Sequence, residues 1–280
     1  MKVLAFILAL LAVTLVATAL PFLPGRYDVL AVPLSGIART VGMVSLLLVP
    51  LGLAWLGYEL WWREDGASRT RVGFVVTSLG AGSIAVVAGT AVAFGLSGAP
   101  LAVSVLAAWV LALWWGAPKM LEWGRRSSGR QIVPALAMVL MPGIVVGAQL
   151  AMSRPLTSFA WKHTMDGIEP LIADIERYRA TNGRYPHSLF SEWMDYRPSV
   201  IGVRGYQYET SGEAFSLAVE VPTFSFDSRE YLLYNPAGSH VMASHDADLL
   251  RRTAAELVQY RGYHSARSLD RPHWTLLSFD

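Results

Sequence analysis

Five apolar runs, each about as long as a bilayer's hydrocarbon core is thick, fill the first half of this 280-residue chain and leave it few folds to choose from. They cover residues 3–23, 41–62, 72–96, 101–117 and 131–151. In hydrocarbon a single run satisfies its own backbone only as a helix, so residues 1–152 are expected to form an α-helical membrane bundle of about five transmembrane helices. Residues 153–280 lack such runs and are expected to form a separate α+β domain.

Charge follows the same division. Residues 1–152 carry ten basic and five acidic side chains, and residues 153–280 carry thirteen and sixteen, so a formal charge of +2 conceals a basic half and an acidic half. All six histidines lie in the acidic half. That half has no Lys/Arg stripe, which excludes the phosphate-backbone contacts of a nucleic-acid partner. The chain has no cysteine, which removes disulfides and thiolate-held metals from consideration.

The basic residues of the short loops orient the bundle. Lys2, Arg63, Arg69, Arg71, Lys119, Arg125, Arg126 and Arg130 fall on one side, against Arg26 and Arg39 in the short loops of the other. This bias places the N-terminus in the cytoplasm and, after five crossings, residues 153–280 in the periplasm or outside the cell. Trp61, Trp62, Trp114 and Trp115 end the second and fourth spans just before basic loops, as interfacial anchors of the cytoplasmic face do. Residues 1–19, with Ala17, Thr18 and Ala19 at their end, read as a retained helix, with a cleaved signal peptide as the alternative. Either choice leaves residues 153–280 on the same side.

Apart from Glu59 the spans contain no Asp, Glu, Lys, Arg or His, and one turn from a basic loop Glu59 is expected to reach the interface. Proton and ion pathways need such groups at depth, which argues against a transporter. Two stripes of small residues permit close helix approach: Ala81, Ala85, Gly89 and Ala93, and Gly143, Gly147 and Ala151. Packing inside the bundle is the first reading of both, and a homo-oligomer through Gly143, Gly147 and Ala151 is the alternative. Pro142 and Gly143 are expected to kink the fifth span.

Beyond the bundle, Trp161, Met165, Ile168, Ile172 and Ile175 recur at helical spacing, with Leu171 and Tyr178 alongside. Pro170 either starts this helix or sits within a longer one leaving the membrane. Asn182 and Gly183 supply a left-handed stop, and Tyr185 and Pro186 an extended exit. A second short helical piece is expected at 191–195. Residues 205–209 and 215–221 alternate around a turn and predict an antiparallel hairpin. A second hairpin is expected from 231–234 to 240–242, a capped helix from Ser244 to about Gly262, and a last strand at 273–277 on the sheet edge.

The string Tyr178-Arg179-Ala180, Gly183-Arg184-Tyr185-Pro186, Ser188-Leu189, with Gly205-Tyr206, Tyr208, Phe215 and Leu217 after it, resembles the globular region of G-type pseudopilins of type II secretion and their pilin-like relatives. The resemblance covers about residues 168–234. It implies a bacterial inner-membrane protein whose outer domain packs one long helix on a small antiparallel sheet and contacts proteins of a secretion, pilus or envelope assembly. A processed pilin carries its apolar helix at the N-terminus behind a peptidase site. Here the corresponding span is the fifth, and Gln131-Ile132-Val133-Pro134 has neither the cleavage motif nor the glutamate, so the helix reads as a tether and not as a filament subunit.

Motifs for a nucleophile elbow, a phosphate loop, a zinc HExxH and an EF-hand are absent from the sequence, and no catalytic, cofactor-binding or metal residue is assigned. The nearest constellation is Ser239, His240, His245, Asp246 and Asp248, which as an alternative makes the chain a membrane-anchored extracytoplasmic enzyme. A transporter component is the weakest reading. Glu169, Asp174 and Glu176 read as a solvated helix face, and Tyr178, Tyr185, Tyr206 and Tyr208 as packing between helix and sheet.

Overall fold

A computed structural model describes residues 2–62, 68–126, 130–189, 196–211, 214–225, 228–237 and 263–279. The chain divides into two compact units: Met1–Ala19 with Leu30–Met152, and Leu20–Val29 with Ser153–Asp280. Residues 20–29, expected to belong with the first 152, are thus part of the second unit.

The first unit is helical. Helix α1 spans Lys2–Ala19. After it, α2 (Ala31–Val44), α3 (Leu48–Gly57) and a π turn at Tyr58–Trp62 run on as one apolar stretch, succeeded by α4 (Ser68–Ser97) and α5 (Ala99–Arg126). Helix α6 (Ile132–Asn182) begins in this unit. Four stretches are long and apolar enough to cross a membrane: Ala31–Trp62, Arg69–Ser97, Ala99–Arg126 and Ile132–Asn182; a shorter apolar helix covers Leu8–Phe22. Gly98, at φ +77°, alone separates α4 from α5, and its N–H donates to Phe94 O at 2.9 Å. The expected tight turn is met by one left-handed glycine.

Two charged residues sit differently from expectation. Arg39, assigned to a loop, lies within α2 and is buried. Pro33 falls in the first turn of α2, where proline is tolerated, so helix starts ten residues before the apolar run does. At 32 residues the stretch Ala31–Trp62 exceeds the roughly 20 residues a bilayer core requires, so it is long enough to cross one without the residues up to Arg39. Glu59, expected at an exposed end of its span, is instead enclosed by protein groups. It is fully buried and accepts from Arg71 Nε at 2.9 Å, from Trp55 Nε1 at 3.3 Å and, at its other oxygen, from the N–H of Gln131 at 3.3 Å. One carboxylate ties the end of one span to the starts of two others, in a place where an unpaired charge would be prohibitive.

In the second unit, α6 continues unbroken past Pro170 to Asn182, the longer of the two helices the sequence allowed. Gly183 at φ +73° stops it, with its N–H on Arg179 O at 2.8 Å. Five antiparallel strands complete the unit: β1 (Gln207–Ser211), β2 (Ala214–Val221), β3 (Arg229–Tyr234), β4 (Tyr263–Ser268) and β5 (Trp274–Phe279), ordered β1-β2-β3-β5-β4. The β1–β2 hairpin is present, with Gln207 opposite Ala218, but β1 runs two residues beyond the expected 205–209, taking in Thr210 and Ser211. The second hairpin is not: β3 has β2 on one side and β5 on the other, so both its edges are filled. Strand β5 lies inside the sheet, and the edge place expected of it is taken by β4, which alternation in the sequence did not reveal. Residues 191–195, 240–242 and the whole of the expected 244–262 helix lie outside the described residues.

The main core lies between α6 and one sheet face. Met165, Ile168, Leu171 and Ile175 meet Phe215, Leu217, Leu232 and Leu276, and Phe22 joins them from the first loop. Ala218, Leu233, Leu277 and Phe279 are buried on the opposite face, which is why β2 is buried along both faces instead of alternating.

Candidate functional site

Two acidic residues of α6, Asp174 and Glu176, are hydrogen-bonded to tyrosines, Tyr196 and Tyr185. Tyr185 is buried, stands edge-on to Phe215 at 4.9 Å between centroids, and donates to Glu176 at 3.1 Å. Arg179 lies 4.6 Å over the Tyr185 ring and donates to its hydroxyl at 2.8 Å. Tyr208 OH donates to Pro186 O at 2.8 Å, fastening the Tyr-Pro exit to β1. Burial pushes the Tyr206 phenol up to about 12 and raises those of Tyr185 and Tyr208, as expected of tyrosines used for packing. Asp174 accepts from Tyr196 and from Arg177, and the Tyr196 hydrogen bond first holds its carboxyl below the usual range. Paired in this way, Asp174 and Glu176 offer no free acid and base.

The open ground of this unit is elsewhere, at the turn between β4 and β5. Two clefts of about 400 and 410 Å³ share Arg271, Pro272, His273 and Trp274. Their frame is built from buried polar contacts. Asn235, at the end of β3, donates its N–H to His273 O at 3.0 Å and its amide nitrogen to Ser216 Oγ at 2.9 Å, while its side-chain oxygen receives Ala237 N–H at 2.8 Å. His273 takes φ +68°, uncommon for a residue with a side chain, and its ring stands 6.0 Å from that of Tyr234. Arg271 reaches back to α6, where it pairs with Asp166 and with Glu169 at 3.2 Å.

The guanidinium is neutralised by two carboxylates, and the cleft residues include no nucleophile held against a base. Among the described residues no cluster of three metal-ligating side chains occurs. Ser239, His240, His245, Asp246 and Asp248 lie outside the described residues. By sequence His273 is the first residue of an edge strand and the cleft does not show; the Asp270-Arg271-Pro272 turn before Trp274 is its available signal.

The two small-residue stripes part company. Gly89 packs against α2, where an added Cβ would stand 3.1 Å from Val41 and 3.4 Å from Ile37. At Gly143 and Gly147 an added Cβ would meet nothing within 4 Å, so that stripe is not packed inside the bundle, contrary to the expectation. No protein family, no curated protein and no solved structure matches the chain.

Proposed function

We propose that the chain is an integral inner-membrane protein, N-terminus in the cytoplasm, that displays a pilin-like extracytoplasmic domain for protein contacts within a secretion, pilus or envelope assembly. The observation that carries the orientation is the placement of residues 20–29. Gly25 N–H donates to Ser199 O at 2.8 Å, Asp28 N–H to Ile201 O at 3.0 Å, and Ile201 and Gly202 return bonds to Leu23 O and Pro21 O. Pro24 pairs with Val200, and Phe22 stacks on Phe224 at 4.7 Å. The loop between the first two spans is therefore part of the C-terminal domain, so the two share a side of the membrane. The loop-charge bias makes that side the outer one.

Helix α1 is retained in this reading. Thr18, beside the would-be cleavage site, receives the Gln149 amide at 3.2 Å, and its carbonyl accepts from Ser35 Oγ at 2.8 Å. The pilin-like reading is supported by the α6 stop at Gly183, the Tyr208 bond that fastens the Tyr-Pro exit, and the β1–β2–β3 sheet packed on α6. The open clefts at Arg271–Trp274 are the ground where a partner would seat.

The absence of native cysteine gives a direct test. The double variant Pro24→Cys/Val200→Cys is expected to form a disulfide in growing cells without added oxidant, because the pair is adjacent and the compartment oxidising. A reduced pair in cells that is also not oxidised after purification would remove the orientation. For the contact function, a photo-crosslinker at exposed His187 or at His273 is expected to capture envelope-assembly proteins; adducts to none would remove that part.

A further inference from the structure

We infer that the basic end of the helical unit is a binding surface for the phosphate headgroups of acidic phospholipids. The inference rests on the membrane reading above and goes beyond it, because a charge bias alone orients a protein without binding any particular lipid.

Three observations combine. First, the carboxylates described at this end are already taken: Glu59 by Arg71, and Glu122 by Arg126 at 2.7 Å. Arg69, Lys119, Arg125 and Arg130 are exposed and have no ion pair among the described residues. Arg63, Glu64 and Asp65 lie outside the described residues.

Second, two of these cations are brought together. A Cβ added at Gly124 would lie 3.5 Å from Val75 and 3.7 Å from Val72, so the last turns of α5 run beside the first turns of α4. This brings Arg69, one turn before Val72, alongside Arg125.

Third, Lys119 borders one of four exposed tryptophans that no described part of the unit covers. Trp61, Trp62, Trp114 and Trp115 are 71–77% exposed, and Lys119 Nζ stands 5.8 Å from the Trp115 ring centroid. Indoles of this kind settle at headgroup depth, and an ammonium held over one of them is presented at the level of the lipid phosphates. Both the charge and the depth are complementary to an anionic headgroup, whereas a soluble acidic protein would leave the tryptophans without a partner.

The test uses the full chain purified in a neutral detergent, with retained lipid counted by native mass spectrometry during titration with phosphatidylglycerol or phosphatidylcholine of the same acyl chains. Phosphatidylglycerol is expected to be retained preferentially. The variant Arg69→Gln/Lys119→Gln/Arg125→Gln should lose that preference, by about fivefold for each cation removed. The control Arg177→Gln/Arg184→Gln/Arg204→Gln, in the other unit, should keep it. Equal retention of both lipids by the native chain, or an undiminished preference in the first variant, would overturn the inference. Displacement of phosphatidylglycerol by inorganic phosphate at equal concentration would also overturn it, since the site would then read phosphate without the lipid. Should the triple variant misfold, the native chain must still lose its preference in about 1 M salt, where the screening length falls to about 3 Å. A chain that stays in solution after detergent removal would instead refute the membrane reading itself.

Discussion

The seam between α2 and α4 and the outward face of α6 carry the same kind of sequence and do opposite things. On α4, Ala85 and Ala93 are buried and Gly89 meets Val41 and Ile37 closely enough that a methyl group would crowd them. On α6, Gly143 and Gly147 look onto open space, and Ile144 and Leu150 beside them are exposed. A small-residue stripe states how near another helix can come, not whether one does. In hydrocarbon no solvent force closes such a gap, so only a neighbour of matching shape fills it. The apolar stretch that contains α2 has a second fastening to α4, the buried pair between Glu59, in the π turn that ends the stretch, and Arg71, in the first turn of α4.

The contrast can be broken most forcefully at that pair. Glu59→Gln leaves Arg71 buried without its charge partner and is expected to cost about 3–5 kcal/mol, read as a lowered unfolding midpoint in detergent. The apolar double variant Glu59→Leu/Arg71→Met should recover most of the loss, and failure of Glu59→Gln to move the midpoint would detach the pair from the seam. Next in size, Gly89→Leu overfills the seam and should cost about 1–3 kcal/mol. By contrast, Gly147→Leu should leave the midpoint within about 0.5 kcal/mol of the native chain. A loss there as large as at Gly89, or a lowered oligomer mass, would place a second copy on the open face. The smallest effect is expected away from both regions, at Glu230 on β3. Burial raises its carboxyl pKa, partly opposed by Arg267, so the folded unit holds this proton more tightly than the unfolded chain does. Its contribution is therefore unfavourable above the raised value and improves as pH falls through it. Glu230→Gln should stabilise the unit slightly at neutral pH and flatten that part of its pH dependence.

What the sequence made legible was local. The face from Trp161 to Ile175, the Asn182-Gly183 stop and the β1–β2 hairpin are each written in consecutive residues, and the structure has them where the pattern puts them, with β1 running two residues further. Non-local features left no comparable mark. Strand β4, Tyr263-His264-Ser265-Ala266-Arg267-Ser268, is an edge strand with little apolar alternation, and β5 is central only because β3 and β4 come to either side of it. Phe22 reads with the first apolar run because a residue facing lipid and one buried in a domain core are equally hydrophobic; its stacking on Phe224 is what separates them. Glu59 reads as interfacial because its partner Arg71 lies twelve residues away in another helix. The clefts at Arg271 escape sequence reading for the same reason, since their frame joins α6, the end of β3 and the start of β5.

The central claim is that the first loop and the C-terminal unit share the outer side of the membrane while the basic ends of α4 and α5 face the cytoplasm. Because the chain has no cysteine, single cysteines report position without background. Arg26→Cys, Arg204→Cys and Lys119→Cys, all at exposed positions, are each treated in intact cells with an outer-membrane-permeant maleimide that cannot cross the inner membrane. Labelling of residues 26 and 204 in intact cells, with residue 119 labelled only after lysis, is the predicted result. Labelling of 119 in intact cells, or protection of 26 or 204 until lysis, would contradict it.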